Sequence, residues 1–117
     1  MLSAHTTSFL NLIRAQLEET SRGVTSIHHF HNVQCGIANI LSLLKYSNDV
    51  GEKADQLSRT ASNYIAGHAV ISSEITEGDI AKDTDRLNAA HEALAGFRLA
   101  VEHSQPNARV RTLGLSS

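Results

Sequence analysis

Three of the seven histidines and the only cysteine of this 117-residue chain lie close together, at His28, His29, His31 and Cys35. His28, His31 and Cys35 are separated by three and four positions, so a helix would place them on one face. Imidazole and thiolate groups bind zinc or copper and act as nucleophiles, and imidazole also accepts phosphoryl groups. This stretch is therefore the main candidate for chemistry in the sequence.

Four interpretations of this cluster are open. The side chains could form a solvated helix face without a specific role. A zinc or copper site would need a further ligand from another helix, for which His68 and His91 are the candidates. A nucleophilic Cys35 would require an oxyanion-binding loop and a third orienting residue, and neither is evident. The fourth interpretation is phosphotransfer through His31. Of the four, we do not favour the metal site, and we expect no bound metal or cofactor.

The opposite face of the same stretch is apolar. At about 100° per residue, six side chains fall within an arc of about 100°. These are Phe30, Val33, Ile37, Ile40, Leu41 and Leu44. A stripe of this width is typical of a helix that packs one face against a core. We therefore predict a helix from about Val24 to Ser47, with His31, Asn39 and Ser42 on its polar side.

A first helix is predicted over 6–22, with Thr6, Thr7 or Ser8 as its cap. Gly23 favours a break before the next helix. A continuous helix through Gly23 would cost only about 1 kcal/mol, so this alternative is open.

Two longer helices follow. One is predicted from about Gly51 to Ile75, with Asp49 and Glu52 as a capping box, and the other from the cap at 76–79 to about His103. In both, residues suited to a core recur at intervals of three and four. They are Ala54, Leu57, Ala61, Tyr64, His68, Ile71 and Ile75 in the first of these two helices, where His68 takes a position at which an aliphatic residue is expected. In the second they are Leu87, Ala90, Leu94, Phe97 and Val101, with Ile80 one seven-residue repeat earlier.

These patterns predict an all-α fold, an antiparallel up-and-down bundle of three to four helices with coiled-coil-like seams. The bundle should occupy residues 1–104, and residues 105–117 should form a flexible C-terminal tail. Regular seams also favour pairing of helices between chains, which predicts a homodimer.

Composition limits the classes of function. Hydrophobic residues make up 41% of the chain and aromatic residues only 4%, so the core must be mainly aliphatic. The net charge of −2 leaves no basic excess for phosphates, so we expect no nucleic-acid binding. No apolar run approaches the roughly 20 residues that span a bilayer, so we expect no membrane segment. A single cysteine favours a reducing, cytoplasmic location.

The segment from His31 to Ile40 resembles the phosphorylated helix of histidine phosphotransfer domains, which reads roughly H-x-L-K-G-x-A-x-N-L-G. The matching residues are His31, Val33, Ala38, Asn39 and Ile40, whereas Gln34, Cys35 and Leu41 replace a lysine and two glycines. The resemblance implies that His31 is the phosphoacceptor, with Asn32 and Gln34 as hydrogen-bonding neighbours.

The same helix is similar to the dimerisation and phosphotransfer hairpin of histidine kinases, one class of which reads roughly H-x-V-x-x-x-L-x-x-I-x-S-L-L. The matching residues are His31, Val33, Ile37, Ile40, Ser42, Leu43 and Leu44. Leu57 and Ile65 would lie on the second helix of that hairpin, and Asn32 replaces the acidic neighbour of many kinases. The chain has no glycine-rich nucleotide loop and is too short to add an ATP-binding domain, which implies a relay protein without kinase activity.

Two functions follow from these features. The first is a small non-catalytic module, an adaptor, assembly factor or chaperone-like protein, that binds protein partners through helix–helix contacts. The alternative is a phosphorelay intermediate in which His31 exchanges a phosphoryl group with an aspartate of a receiver domain. The relay needs an exposed His31 beside a flat helical face, whereas the module needs an exposed apolar strip or groove.

Overall fold

The protein is an all-α bundle, as the sequence predicted. The computed structural model describes residues 3–23, 28–45, 47–69 and 77–104. Within this part of the chain there are four helices: α1 (Ala4–Ser21), α2 (His28–Ser42), α3 (Asn48–Ala69) and α4 (Glu77–Glu102). None of these helices is both long and apolar enough to cross a membrane.

The first hairpin consists of α1 and α2, which run antiparallel. Thr20 near the end of α1 contacts His29 near the start of α2, and one turn further from the connection Gln16 contacts Asn32. Gly23 lies between the two helices with φ 84°, a conformation that glycine adopts without strain. The predicted break at Gly23 is therefore confirmed.

The second hairpin consists of α3 and α4, which are also antiparallel. His68 near the end of α3 contacts Asp83 near the start of α4. At the other end, Gly96 of α4 lies beside Lys53 of α3. Helix α1 packs against α2, α3 and α4, so the two hairpins share one core.

The core is aliphatic, with two large aromatic side chains at its centre. The largest fully buried residues are Tyr64, Phe97, Ile13, Leu17, Ile40, Leu57, Val33 and Val50. The seam residues Ala54 to Tyr64 of α3 and Ala90 to Val101 of α4 are buried where the three-and-four spacing predicted. The predicted seam positions Ile71 and Ile75, like the predicted tail 105–117, lie outside the described residues.

Two residues that the spacing assigned to the core are exposed. Phe30 is 38% exposed, because His29, one position earlier, occupies the interface with α1 instead. Ile80 is 56% exposed because it lies in the first turns of α4, where residues 77–82 are all exposed. The helical period was correct in both cases. The rotational position of the buried stripe was wrong on α2, and the residue at which burial begins was wrong on α4.

Helix α2 ends at Ser42, before the predicted end at Ser47. The backbone N–H of Leu43 donates to the Ile40 carbonyl at 3.0 Å, and that of Leu44 donates to Leu41 at 3.3 Å. Bonds of this shorter span tighten the last turn of a helix and end it. The predicted start near Val24 lies outside the described residues.

The start of α1 differs from the prediction by a few residues. The Ser3 hydroxyl accepts the backbone N–H of Thr6 at 3.1 Å and is the cap, in place of Thr6, Thr7 or Ser8. Thr6 itself is buried, and its hydroxyl accepts a hydrogen bond from Ser3. Two hydrogen bonds thus connect the first turn of α1 to Ser3, the residue that precedes the helix.

The start of α3 also differs from the prediction. The helix begins at Asn48 rather than Gly51, and the Ser47 hydroxyl accepts the backbone N–H of Val50 at 3.3 Å. Ser47 therefore caps α3 instead of Asp49. Asp49 lies in the first turn, where its negative charge stabilises the positive end of the helix.

Candidate functional site

The predicted polar face of α2 points to solvent. His28 and His31 are exposed, Cys35 is partly exposed, and Asn39 and Ser42 continue the exposed face towards the end of the helix. The imidazole Nε2 of His31 lies 3.4 Å from the Cys35 sulfur. Imidazole nitrogen and thiol can each donate or accept a hydrogen bond, so the tautomer of the His31 ring sets the direction of this contact.

The side chains of Asn32 and Gln34 connect α2 to its two neighbours. The Asn32 amide donates to the Gln16 side-chain oxygen of α1 at 3.2 Å, and the Gln34 amide donates to the Ser58 hydroxyl of α3. These contacts fix the rotation of α2 between α1 and α3. They thereby hold His31 on the outer side of the bundle.

The structure does not bring the proposed metal ligands together. His68 pairs with Asp83 of α4, and His91 lines a groove between α1 and α4. Among the described residues, no group of three or more His, Cys, Asp or Glu side chains is arranged to hold a metal ion. The arrangement around His31 and Cys35 is therefore a two-residue pair in this part of the chain.

His29 forms a buried polar cluster that the sequence did not reveal. Its Nδ1 lies 2.8 Å from the Thr20 hydroxyl, and its Nε2 lies 3.3 Å from the Glu19 carboxylate. The sequence feature that could have revealed it is the break after α1, because residues at equal distances from the connection of an antiparallel hairpin face each other. Thr20 is one residue before the end of α1 and His29 is one residue after the start of α2, so they form such a pair.

A carboxylate, an imidazole and a hydroxyl in this order resemble the arrangement of a catalytic triad. Thr20 is nevertheless buried, and its hydroxyl also lies 2.8 Å from the Gln16 backbone carbonyl. A substrate could not reach this oxygen without separation of α1 from α2. The Glu19–His29–Thr20 cluster is therefore a structural contact that holds α1 against α2.

A second surface feature lies between α1 and α4. An open groove of about 200 Å³ is lined by Leu10, Asn11, Arg14, His91, Leu94, Ala95 and Arg98. The buried Leu10 and Leu94 form its apolar floor. The side chains of Arg14 and Arg98, 55% and 60% exposed, supply one cation from each helix. We refer to this surface as the α1/α4 groove.

Each of the two groove arginines also faces a glutamate on its own helix. Arg14 Nε lies 3.8 Å from Glu18, and Arg98 Nε lies 3.6 Å from Glu102. Exposed pairs at four-residue spacing contribute little to stability, and a guanidinium has five N–H donors. The arginines therefore retain donors for an incoming anionic group. Sequence reasoning missed this surface because only the packing of α1 on α4 brings Arg14 and Arg98 to the same groove.

A third polar cluster lies between α3 and α4. His68 Nδ1 is 2.9 Å from Asp83 Oδ2, and the His68 ring is 5.6 Å from the Tyr64 ring. Burial, reinforced by the negative charge of Asp83, raises the pKa of the Tyr64 phenol to about 12. The seam position of His68 is thus occupied by a hydrogen-bonded histidine at the edge of the core.

Comparison with known proteins gives no matching family model, no similar curated protein and no similar solved structure.

Proposed function

We propose that this protein is a non-catalytic interaction module that binds a helical segment of another protein in the α1/α4 groove. The open groove itself, with an apolar floor between two antiparallel helices, is the observation that supports this proposal. Amphipathic helices dock in such grooves through apolar side chains that recur every three or four residues. Leu10 and Leu94 would contact these side chains.

The charges around the groove favour an acidic partner. Arg14 lines the groove from α1 and Arg98 from α4, and His91 of α4 is a third nitrogen-bearing side chain in the lining. Guanidinium groups bind carboxylates through two parallel hydrogen bonds. The partner that fits best is therefore an amphipathic helix with an apolar stripe flanked by Glu or Asp residues.

Two synthetic helical peptides test this proposal, with identical leucine stripes and with either glutamate or lysine at the flanking positions. The glutamate peptide should bind more tightly, and added salt should weaken its binding. Arg14→Glu combined with Arg98→Glu should weaken binding of this peptide at least about tenfold. Arg59→Glu combined with Lys82→Glu, an equal charge change at exposed positions of α3 and α4, should leave it unchanged. Equal affinity for both peptides, or an equal loss of affinity in this control variant, would exclude the groove as the docking surface.

A second candidate function is phosphorelay through His31, which is supported by the exposure of this side chain on the outer face of α2. In the proposed step, Nε2 of His31 attacks the phosphorus of a receiver-domain aspartyl phosphate. The bond from phosphorus to the aspartate oxygen breaks, the carboxylate leaves, and the phosphoryl group rests on His31. Asn32 and Gln34 would contribute by holding α2 in position.

A labelled, phosphorylated receiver domain tests the relay directly. Uptake of the label should be lost in His31→Gln and retained in His103→Gln, which changes another exposed histidine. Failure of the wild-type protein to take up label, or uptake by His31→Gln, would reject His31 as the phosphoacceptor. The homodimer and the cytoplasmic location stay predictions, and light scattering would distinguish the 12.7 kDa monomer from a dimer.

A further inference from the structure

The polar cluster between α3 and α4 has a feature that neither proposed function uses. The Tyr64 side chain is fully buried in the seam. Its hydroxyl and the Oδ1 atom of Asp83 are both buried and have no hydrogen-bond partner among the described residues. Buried polar atoms in folded proteins are nearly always paired, so these two atoms require an explanation.

The hydrogen-bonding capacities of the two atoms are complementary. His68 engages Asp83 through Oδ2, which leaves Oδ1 as an acceptor. The Tyr64 phenol carries one proton to donate and can also accept. Asp83 lies near enough to Tyr64 to act on its phenol electrostatically, yet the two groups do not form a direct hydrogen bond. A water molecule can connect two polar groups that are too far apart for a direct bond.

We propose that one internal water molecule binds between α3 and α4, accepts a hydrogen bond from Tyr64 Oη and donates one to Asp83 Oδ1. Internal waters typically occupy polar sites where they satisfy otherwise unpaired buried groups. The resulting chain runs from the partly exposed His68 through Asp83 and the water to the buried Tyr64. It connects α3 to α4 at the end of the hairpin where His68 and Asp83 meet.

A high-resolution crystal structure provides the first test. Density for one water should lie within about 3.2 Å of both Tyr64 Oη and Asp83 Oδ1. A direct bond between the two side chains, a partner side chain from residues 70–76, or an unoccupied site would each overturn the proposal.

The Tyr64→Phe variant provides a second test that depends on the sign of a stability change. Loss of a hydroxyl that is bound to water removes a hydrogen bond, so the urea midpoint should fall. Loss of an unpaired hydroxyl relieves an unfavourable burial, so an equal or higher midpoint would contradict the proposal. If Tyr64→Phe fails to fold, the presence or absence of density for the water in the wild-type crystal structure decides whether the proposal holds.

Discussion

The Thr20 hydroxyl of α1 lies 2.8 Å from Nδ1 of His29 in α2. The two residues are only 4% and 3% exposed, so this hydrogen bond is made inside the interface of the first hairpin. His31, two positions later, is exposed on the other side of the same helix. Neighbouring histidines of one motif thus have different environments, and the helical period is the cause.

We expect His29→Ala to lower the free energy of unfolding by about 2–3 kcal/mol, since it leaves a cavity and removes buried hydrogen bonds. His31→Ala should change it by no more than about 0.5 kcal/mol, because an exposed side chain contributes little. Urea unfolding followed by circular dichroism measures both values. If His31→Ala lowered the free energy of unfolding more than His29→Ala did, the two histidines would have been assigned to the wrong faces of α2.

Gly36 and Gly96 provide a matched pair for helix packing. A Cβ atom at Gly36 would lie 2.9 Å from Ile13 Cγ1, whereas one at Gly96 would lie 3.8 Å from Lys53 Cδ. Alanine has a helix propensity advantage of about 1 kcal/mol over glycine, but overpacking costs about 1–3 kcal/mol. Gly96→Ala should therefore stabilise the protein, and Gly36→Ala should be at least about 1 kcal/mol less stable than Gly96→Ala. Equal thermal midpoints for the two variants would contradict the close approach of α1 to α2.

The Tyr64 phenol should make stability depend on pH in the alkaline range. Its pKa is raised from 10.0 to about 12 in the folded protein, so the unfolded chain loses this proton first. The stabilising contribution is complete below pH 10.0 and is lost as the pH rises towards about 12. The difference in unfolding free energy between wild type and Tyr64→Phe should therefore decrease over this range. Asp83→Asn should lower the phenol pKa, as ultraviolet titration would show, and an unchanged pKa would exclude the electrostatic contribution of Asp83.

Phe97 and Ile80 test which seam positions of α4 belong to the core. Phe97 is fully buried, so Phe97→Ala should cost about 3–5 kcal/mol. Ile80→Ala should change stability by no more than about 0.5 kcal/mol, because Ile80 is 56% exposed. Denaturant unfolding of the two variants provides the comparison. A cost above about 2 kcal/mol for Ile80→Ala would place this residue in the core after all.

The sequence predicted the helices and most of the core because apolar spacing follows the helical period directly. Val33, Ile37 and Ile40 are buried and His31 is exposed for this reason. The helix starts were less accurate because several residues near each start are suitable caps. At α1, for example, Ser3 and Thr6 compete for the same role.

The features that depend on neighbouring helices could not be predicted in this way. His29 and Phe30 differ by about 100° around α2, and the position of α1 decides which of them is buried. The α1/α4 groove has the same origin, since Arg14 and Arg98 lie at opposite ends of the sequence. Spacing within one helix carries no information about such pairs.

The most direct test of the proposed function is an amide NMR titration of the protein with the glutamate-flanked amphipathic peptide. We expect shift changes to concentrate at Leu10–Arg14 of α1 and His91–Arg98 of α4, and His31 to be unaffected. Shift changes centred on His31 and Cys35, or no change at any peptide concentration, would contradict the assignment of the α1/α4 groove as the docking surface.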